Sequence, residues 1–164
     1  MTRDLPAILH GGYCTRWHAN SDLAHIRETL AEHHARVAQI ILALHPCPSV
    51  ALLDAALHHD AAEASCGDLP WPYKRANPEA AAIHAQFERR ELERMGCAID
   101  LPANDARWFK FADSLAAIAH VAKVAPHLLC RSDWREDIAA VIETGQDLIG
   151  HRIGAIIEAI TGEA

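Results

Sequence analysis

Three features of the chain predict an all-α fold. Apolar residues recur at three- and four-residue spacing through most of its length, and helix start and stop residues punctuate that pattern. No segment alternates apolar and polar residues as a half-buried strand would. The expected architecture is a single helical bundle of about six helices, one domain spanning residues 1–164.

The elements follow in order. A short helix is expected near Asp4–His10. Thr29-Leu30-Ala31-Glu32 has the form of a capping box, after which Leu30, His33, Val37, Ile40, Ile41 and Leu44 repeat at helical spacing until Pro46 and Pro48. Ser49 is a cap for the next helix, which carries Leu52, Leu53, Ala56, Leu57, Asp60 and Glu63 to its stop at Gly67. Asn77-Pro78 opens a third long helix and Gly96 closes it. Pro102 to about Ala125 gives another, with Phe109, Ala112, Ala116 and Val121 among its apolar positions. Ser132 or Asp133 starts the last, which runs toward Gly162 with Ile138, Val141, Ile142, Leu148, Ile149, Ile153, Ile156 and Ile160. Repeats, low-complexity runs and domain-dividing linkers are absent from the sequence.

Composition narrows the function. Half of the 164 residues are hydrophobic (51%) and 23% are charged, a globular balance. A net charge of −7 argues against nucleic-acid or anionic-membrane partners, which a basic field would have to attract, but leaves room for a small phosphorylated ligand held by a few local cations. No apolar run approaches a membrane span, and Met1–Leu9 lacks a signal-peptide core. The five cysteines are dispersed without a CxxC pair and read as reduced thiols, so a cytoplasmic location is expected.

The stretch LHHDAAEASCGDLPWPYK, residues 57–74, carries the chemistry. Two histidines, two aspartates and a glutamate interrupt an apolar helical pattern, and such groups are costly to bury without partners. On a continuous helix His59 and Asp60 can lean toward one point, with Glu63 one turn along on the same face. Further ligands have to come from other helices. Asp113 sits within the apolar frame of the Pro102 helix, and the capping-box helix offers His33 or His34, of which His33 shares the phase of Leu30, Val37 and Ile40. The set His33, His59, Asp60 and Asp113 is a mixed nitrogen and oxygen donor set suited to Mn, Co, Fe, Zn or Ni. A metal held there would act as a Lewis acid, and Glu63 beside it would orient or deprotonate water or protonate a leaving oxygen.

The order H…HD…D resembles the HD-domain superfamily of metal-dependent phosphohydrolases. Arg16-Trp17, Ala31-Glu32-His33, His59-Asp60-Ala61-Ala62-Glu63, Gly67-Asp68-Leu69-Pro70-Trp71-Pro72-Tyr73-Lys74 and Lys110-Phe111-Ala112-Asp113 are similar, in order, to motifs of one branch. That branch holds the bacterial 5'-deoxynucleotidases and the small phage dATP triphosphohydrolases. The likeness covers about residues 11–122; the helical part at 132–162 carries no matching motif. His34 departs from the pattern, since relatives usually have a small residue there, and the Trp17-to-His33 segment is slightly long.

The resemblance implies one divalent metal ion (Co, Mn, Zn, Fe, Ni or Mg), because His84 is the only histidine between the HD pair and Asp113 and two-metal relatives need two. It implies that Lys74 and Lys110 neutralise phosphate as point cations and that Arg16 holds it by a fork. It places Trp17 and Pro72 at the base and Asp68 at the deoxyribose 3'-hydroxyl. The expected substrate is a deoxynucleotide cut at the 5' ester to release the deoxynucleoside, with a lean to dATP or another dNTP. A 5'-deoxynucleoside monophosphatase is the alternative, and a catalytically silent nucleotide- or metal-sensing module is the alternative outside enzymology. Relatives form dimers and hexamers, so a homo-oligomer in a bacterial cell, encoded by the host or by a phage, is expected.

Overall fold

The computed structural model describes residues 2–162 and is all-helical. Among the described residues there is no β-strand, only an isolated antiparallel bridge between Thr15 and Thr29. Nine α-helices and one 3₁₀ turn occur among them where about six helices were expected; the extra ones arise from helix breaks.

Helix α1 spans Leu5–Gly12, and Asp4 caps it by accepting from the Ala7 N–H at 3.1 Å. Helix α2, Leu30–Leu44, begins with the expected capping box: the Thr29 N–H donates to Glu32 Oε2 (2.7 Å) and the Glu32 N–H donates to Thr29 Oγ1 (3.3 Å). Helix α3, Val50–His58, starts at Ser49, whose Oγ accepts from the Leu52 N–H at 3.0 Å. After α3 come α4 (Glu63–Cys66), α5 (Trp71–Ala76) and α6 (Pro78–Met95). The later elements are α7 (Ala103–Val124), a 3₁₀ turn (Pro126–Cys130), α8 (Ser132–Ile149) and α9 (Arg152–Thr161).

Three expectations are corrected. The helix expected from Ser49 to Gly67 stops at His58, and residues 59–62 form tight turns before α4. There the Ala61 N–H donates to the His58 carbonyl (3.0 Å) and the Glu63 N–H to the Asp60 carbonyl (2.9 Å), three-residue closures that tighten the chain out of α-geometry. The helix expected to run toward Gly162 breaks at Gly150, whose φ of +65° reverses the path into α9. Asn77 does not cap α6 with its side chain; its amide donates back to the Tyr73 carbonyl at 3.1 Å and so ends α5.

The chain divides into two compact units, Met1–Ala35 with Leu57–Asp100, and Arg36–Ala56 with Leu101–Ala164. In the first, α1 and α4 pack on α6, and Ala61, Met95 and Cys97 form a buried cluster against Ala7, Ile8 and Leu92. In the second, α7 packs against α8, α9 and the 3₁₀ turn. Trp108 and Phe111 meet edge to face there, with ring centroids 6.0 Å apart. No helix among the described residues is long and apolar enough to cross a membrane.

Gly11 fixes how α1 meets the break. A Cβ at that position would lie 2.3 Å from the Ala61 carbonyl oxygen, a backbone atom that no rotamer change can move aside. Gly11→Ala gains up to about 1 kcal/mol of helix propensity but meets overpacking worth about 1–3 kcal/mol. The clash wins where the backbone cannot yield, so the variant's melting temperature should fall, at roughly 2–4 °C per net kcal/mol. A thermal melt equal to or above wild type would show that α1 does not sit on Ala61.

Candidate metal centre

Three donor atoms converge in the first unit. His33 Nε2 lies 3.3 Å from His59 Nε2 and 4.0 Å from Asp60 Oδ2, and the last two are 3.1 Å apart. Ligands about 2.0–2.2 Å from a tetrahedral divalent ion stand roughly 3.3 Å from one another. Two of the three separations already match, and the third, at 4.0 Å, needs to close by about 0.7 Å. The buried His33, His59 and Asp60 group could therefore hold a metal ion.

Local folding explains the convergence. Capping at Thr29 fixes the first turn of α2, which carries His33 fully buried. His59 and Asp60 are the first two residues after α3 ends. The tight turns at 59–62 carry the pair, and both side chains come close to His33. Glu63, at the start of α4, follows one turn later.

Electrostatics separates the two carboxyls. Burial alone would raise Asp60, but the His59 ring, through charge and hydrogen bond, then His33 and Arg16, hold it well below the usual carboxylate range. Glu63 goes the other way: burial first, then repulsion from Asp60 and Asp68, push it from an ordinary 4.5 up to about 8. One carboxyl is thus a permanent anion and the other an acid poised near neutrality, the pairing that acid–base sites use.

Arg16 binds the same histidine from behind. Its Nη1 donates to His33 Nδ1 at 2.5 Å, and because a guanidinium cannot accept, the His33 proton resides on Nε2. Donation from Arg16 and metal ligation at Nε2 exclude one another on a neutral ring. An ion therefore has to displace both the Nε2 proton and the Arg16 contact, a cost that the otherwise matched donor set has to exceed.

Sequence reasoning missed Glu28 and misplaced His34. Glu28 is 1% exposed, and its Oε2 accepts from Trp17 Nε1 at 2.6 Å and lies 3.8 Å from Arg16 Nη1. It holds Arg16 and Trp17 in place, with the Arg16 guanidinium 4.9 Å from the centre of the Trp17 ring. Glu28 follows no apolar phase, so no pattern singled it out. His34 was set aside as out of phase, yet it is buried with its ring centroid 4.6 Å from that of His59. Its Nε2 has no hydrogen-bond partner, and burial followed by the charge of His59 lowers its pKa to about 3.

The other expected site residues are placed as follows. Lys74 Nζ donates to Asp68 Oδ1 at 2.9 Å; burial would lower the ammonium, but Asp68 raises it. Pro72 is exposed on α5. Trp71 exposes 63% of its surface and lines a cleft of about 450 Å³ with Lys74, Arg75, His84 and Glu88. Trp108 and Trp134 are buried, as packing requires. Asp113 and Lys110 lie on α7 in the second unit, Asp113 partly buried and Lys110 exposed.

Comparison with protein-family models, with curated proteins and with solved structures finds no match.

Mn2+, which prefers nitrogen and oxygen donors, reads this centre. Wild-type protein should bind one equivalent, and both His59→Ala and Asp60→Ala should lose it. Full Mn2+ occupancy in both variants would dismiss the assignment. Metal-free protein should also show the sign of the Glu63 shift. A carboxyl raised in the folded state contributes stability that is complete below about 4.5 and is lost as pH rises toward 8. Glu63→Gln should therefore gain stability relative to wild type between pH 5 and 8 in denaturant titrations, and a constant difference across that range would rule the shift out.

Proposed function

We propose that this chain is a metal-dependent phosphohydrolase of the HD-domain type that cuts deoxynucleotides at the 5' ester and releases the deoxynucleoside. One observation carries the reading: two imidazole nitrogens and a carboxylate oxygen converge within 4.0 Å beside a carboxyl pushed up to about 8. The ordered motif resemblance supports it from the sequence side. A divalent ion held by His33, His59 and Asp60 would supply Lewis acidity to a phosphoryl oxygen and to water.

The remaining work falls to the chain's own residues. Glu63 enters protonated near neutral pH and gives its proton to the leaving 5'-oxygen. Burial is the larger cause of its shift and does not depend on the charge of Asp60. Arg16 offers a fork to phosphate, and Lys74 a point charge. Lys74 and Arg75 line the cleft beside Glu88; the lean to a dNTP over a dNMP rests on the motif resemblance. In the resemblance Asp68, held by Lys74, reads the 3'-hydroxyl.

A binding module without turnover is the second reading, and a specific observation favours it. Arg16 is engaged by His33 and lies near Glu28, while Lys74 is engaged by Asp68, so both cations are already neutralised within the protein.

Product analysis with Mn2+ or Co2+ tests the proposal. Incubation of dATP should yield deoxyadenosine, and Glu63→Gln should keep its metal and fold while losing roughly 10²–10⁴ in turnover. Accumulation of dADP, or of dAMP with pyrophosphate, would mean cleavage elsewhere on the chain of phosphates. Rapid hydrolysis of dAMP with dATP untouched would select the monophosphatase. No turnover of any deoxynucleotide, with binding retained, would select the sensor.

A further inference from the structure

We propose that Cys66, His84 and Glu88 form a second metal site, distinct from the His33, His59 and Asp60 centre and suited to a thiophilic divalent ion such as zinc. The three donors come from two packed helices of the first unit. Cys66 is the last residue of α4, and His84 and Glu88 stand four residues apart on one face of α6. One donor atom from each lies within 4.8 Å of the others. His84 Nδ1 and Glu88 Oε1 are 3.4 Å apart, already the edge of a coordination tetrahedron.

The chemistry differs in kind from the first centre. A thiol, an imidazole and a carboxylate form the softer set, which selects zinc-like ions over manganese or magnesium. His84 and Glu88 also stand at the i,i+4 spacing of an ordinary helix ion pair. Two observations point further. His84 is turned inward, and its Nε2 is buried without a hydrogen-bond partner. The surroundings are short of positive charge: Glu63, Glu88 and Glu91 act on the Cys66 thiol, and Asp60 and Asp68 act on Glu88, with Lys74 as the facing cation. A dication relieves that repulsion.

The thiol is the obstacle. Its Sγ contacts the Ala62 carbonyl at 3.2 Å, and burial with the nearby carboxylates raises it to about 11. Binding therefore has to expel a proton from Cys66, as thiolate coordination does generally. His84 and Glu88 also line the Trp71 cleft, so an ion held there faces an open space.

Co2+ titration of the full chain tests the site, because a thiolate bound to Co2+ gives a near-ultraviolet charge-transfer band that a nitrogen and oxygen centre cannot produce. Wild type should show the band, and it should persist in Asp60→Ala, so the two centres fail or survive separately. Cys66→Ser should abolish it, Cys14→Ser should leave it intact, and His84→Ala and Glu88→Gln should each weaken Co2+ binding at least about tenfold. Circular dichroism of each variant establishes that it is folded. Absence of the band in wild type, or its survival in Cys66→Ser, would overturn the proposal, as would its loss in Asp60→Ala.

Discussion

The candidate centre depends on one close approach. Gly11 of α1 lies against the Ala61 carbonyl with no room for a side chain, at the point where the chain has left α3 and not yet entered α4. Met95 and Cys97 pack against Ala61 and hold the break in place. A small residue at position 11 is thus tied to the chemistry of residues 33, 59 and 60, although it touches none of their reactive atoms.

Burial then divides the labour among the polar groups. A buried imidazole or carboxyl is unfavourable alone, and around the centre different neighbours act on different groups. Asp60 stays ionised because His59, His33 and Arg16 surround it, while Glu63 holds its proton because burial first, then repulsion from Asp60 and Asp68, disfavours its charge. His34 stays neutral because burial and the facing His59 leave no place for a second positive ring. The arrangement is a set of mutual constraints, so replacing any one member shifts the protonation of the rest.

Much of the helical outline was legible because its signals are local. The Thr29 and Glu32 box, the Ser49 cap and the stop at Gly96 act within a turn of themselves, and each appears where expected; Gly67 is also a stop, but of α4. Breaks set by distant packing were not legible. Residues 59–62 read as helix because alanine favours helix, and nothing nearby announces that Gly11 occupies the space beside Ala61. Gly150 lay inside an unbroken isoleucine pattern, and its role emerges only with the fit of Ile153 against Gly145. His33, His59 and Asp60 could be found because costly residues clustered at apolar phase. Glu28 and His34 could not, since the first obeys no periodicity and the second was judged on a helix wheel that ignores what packs beside it.

Trp17 carries a consequence for motion. It is the non-glycine residue with positive φ among those described, at +66°, a conformation that costs a bulky side chain on the order of 1–3 kcal/mol. Glu28 holds it there through the indole N–H, and the Arg16 N–H donates to the Glu28 carbonyl at 2.8 Å. The loop from 17 to 28 is therefore fastened at its two ends by the same residue and loaded at one of them. Loosening Glu28 lets the Trp17 backbone relax to an ordinary φ, which in turn disfavours refastening. Because one residue supplies both fastenings, loss of Glu28 would release the two ends of the segment together.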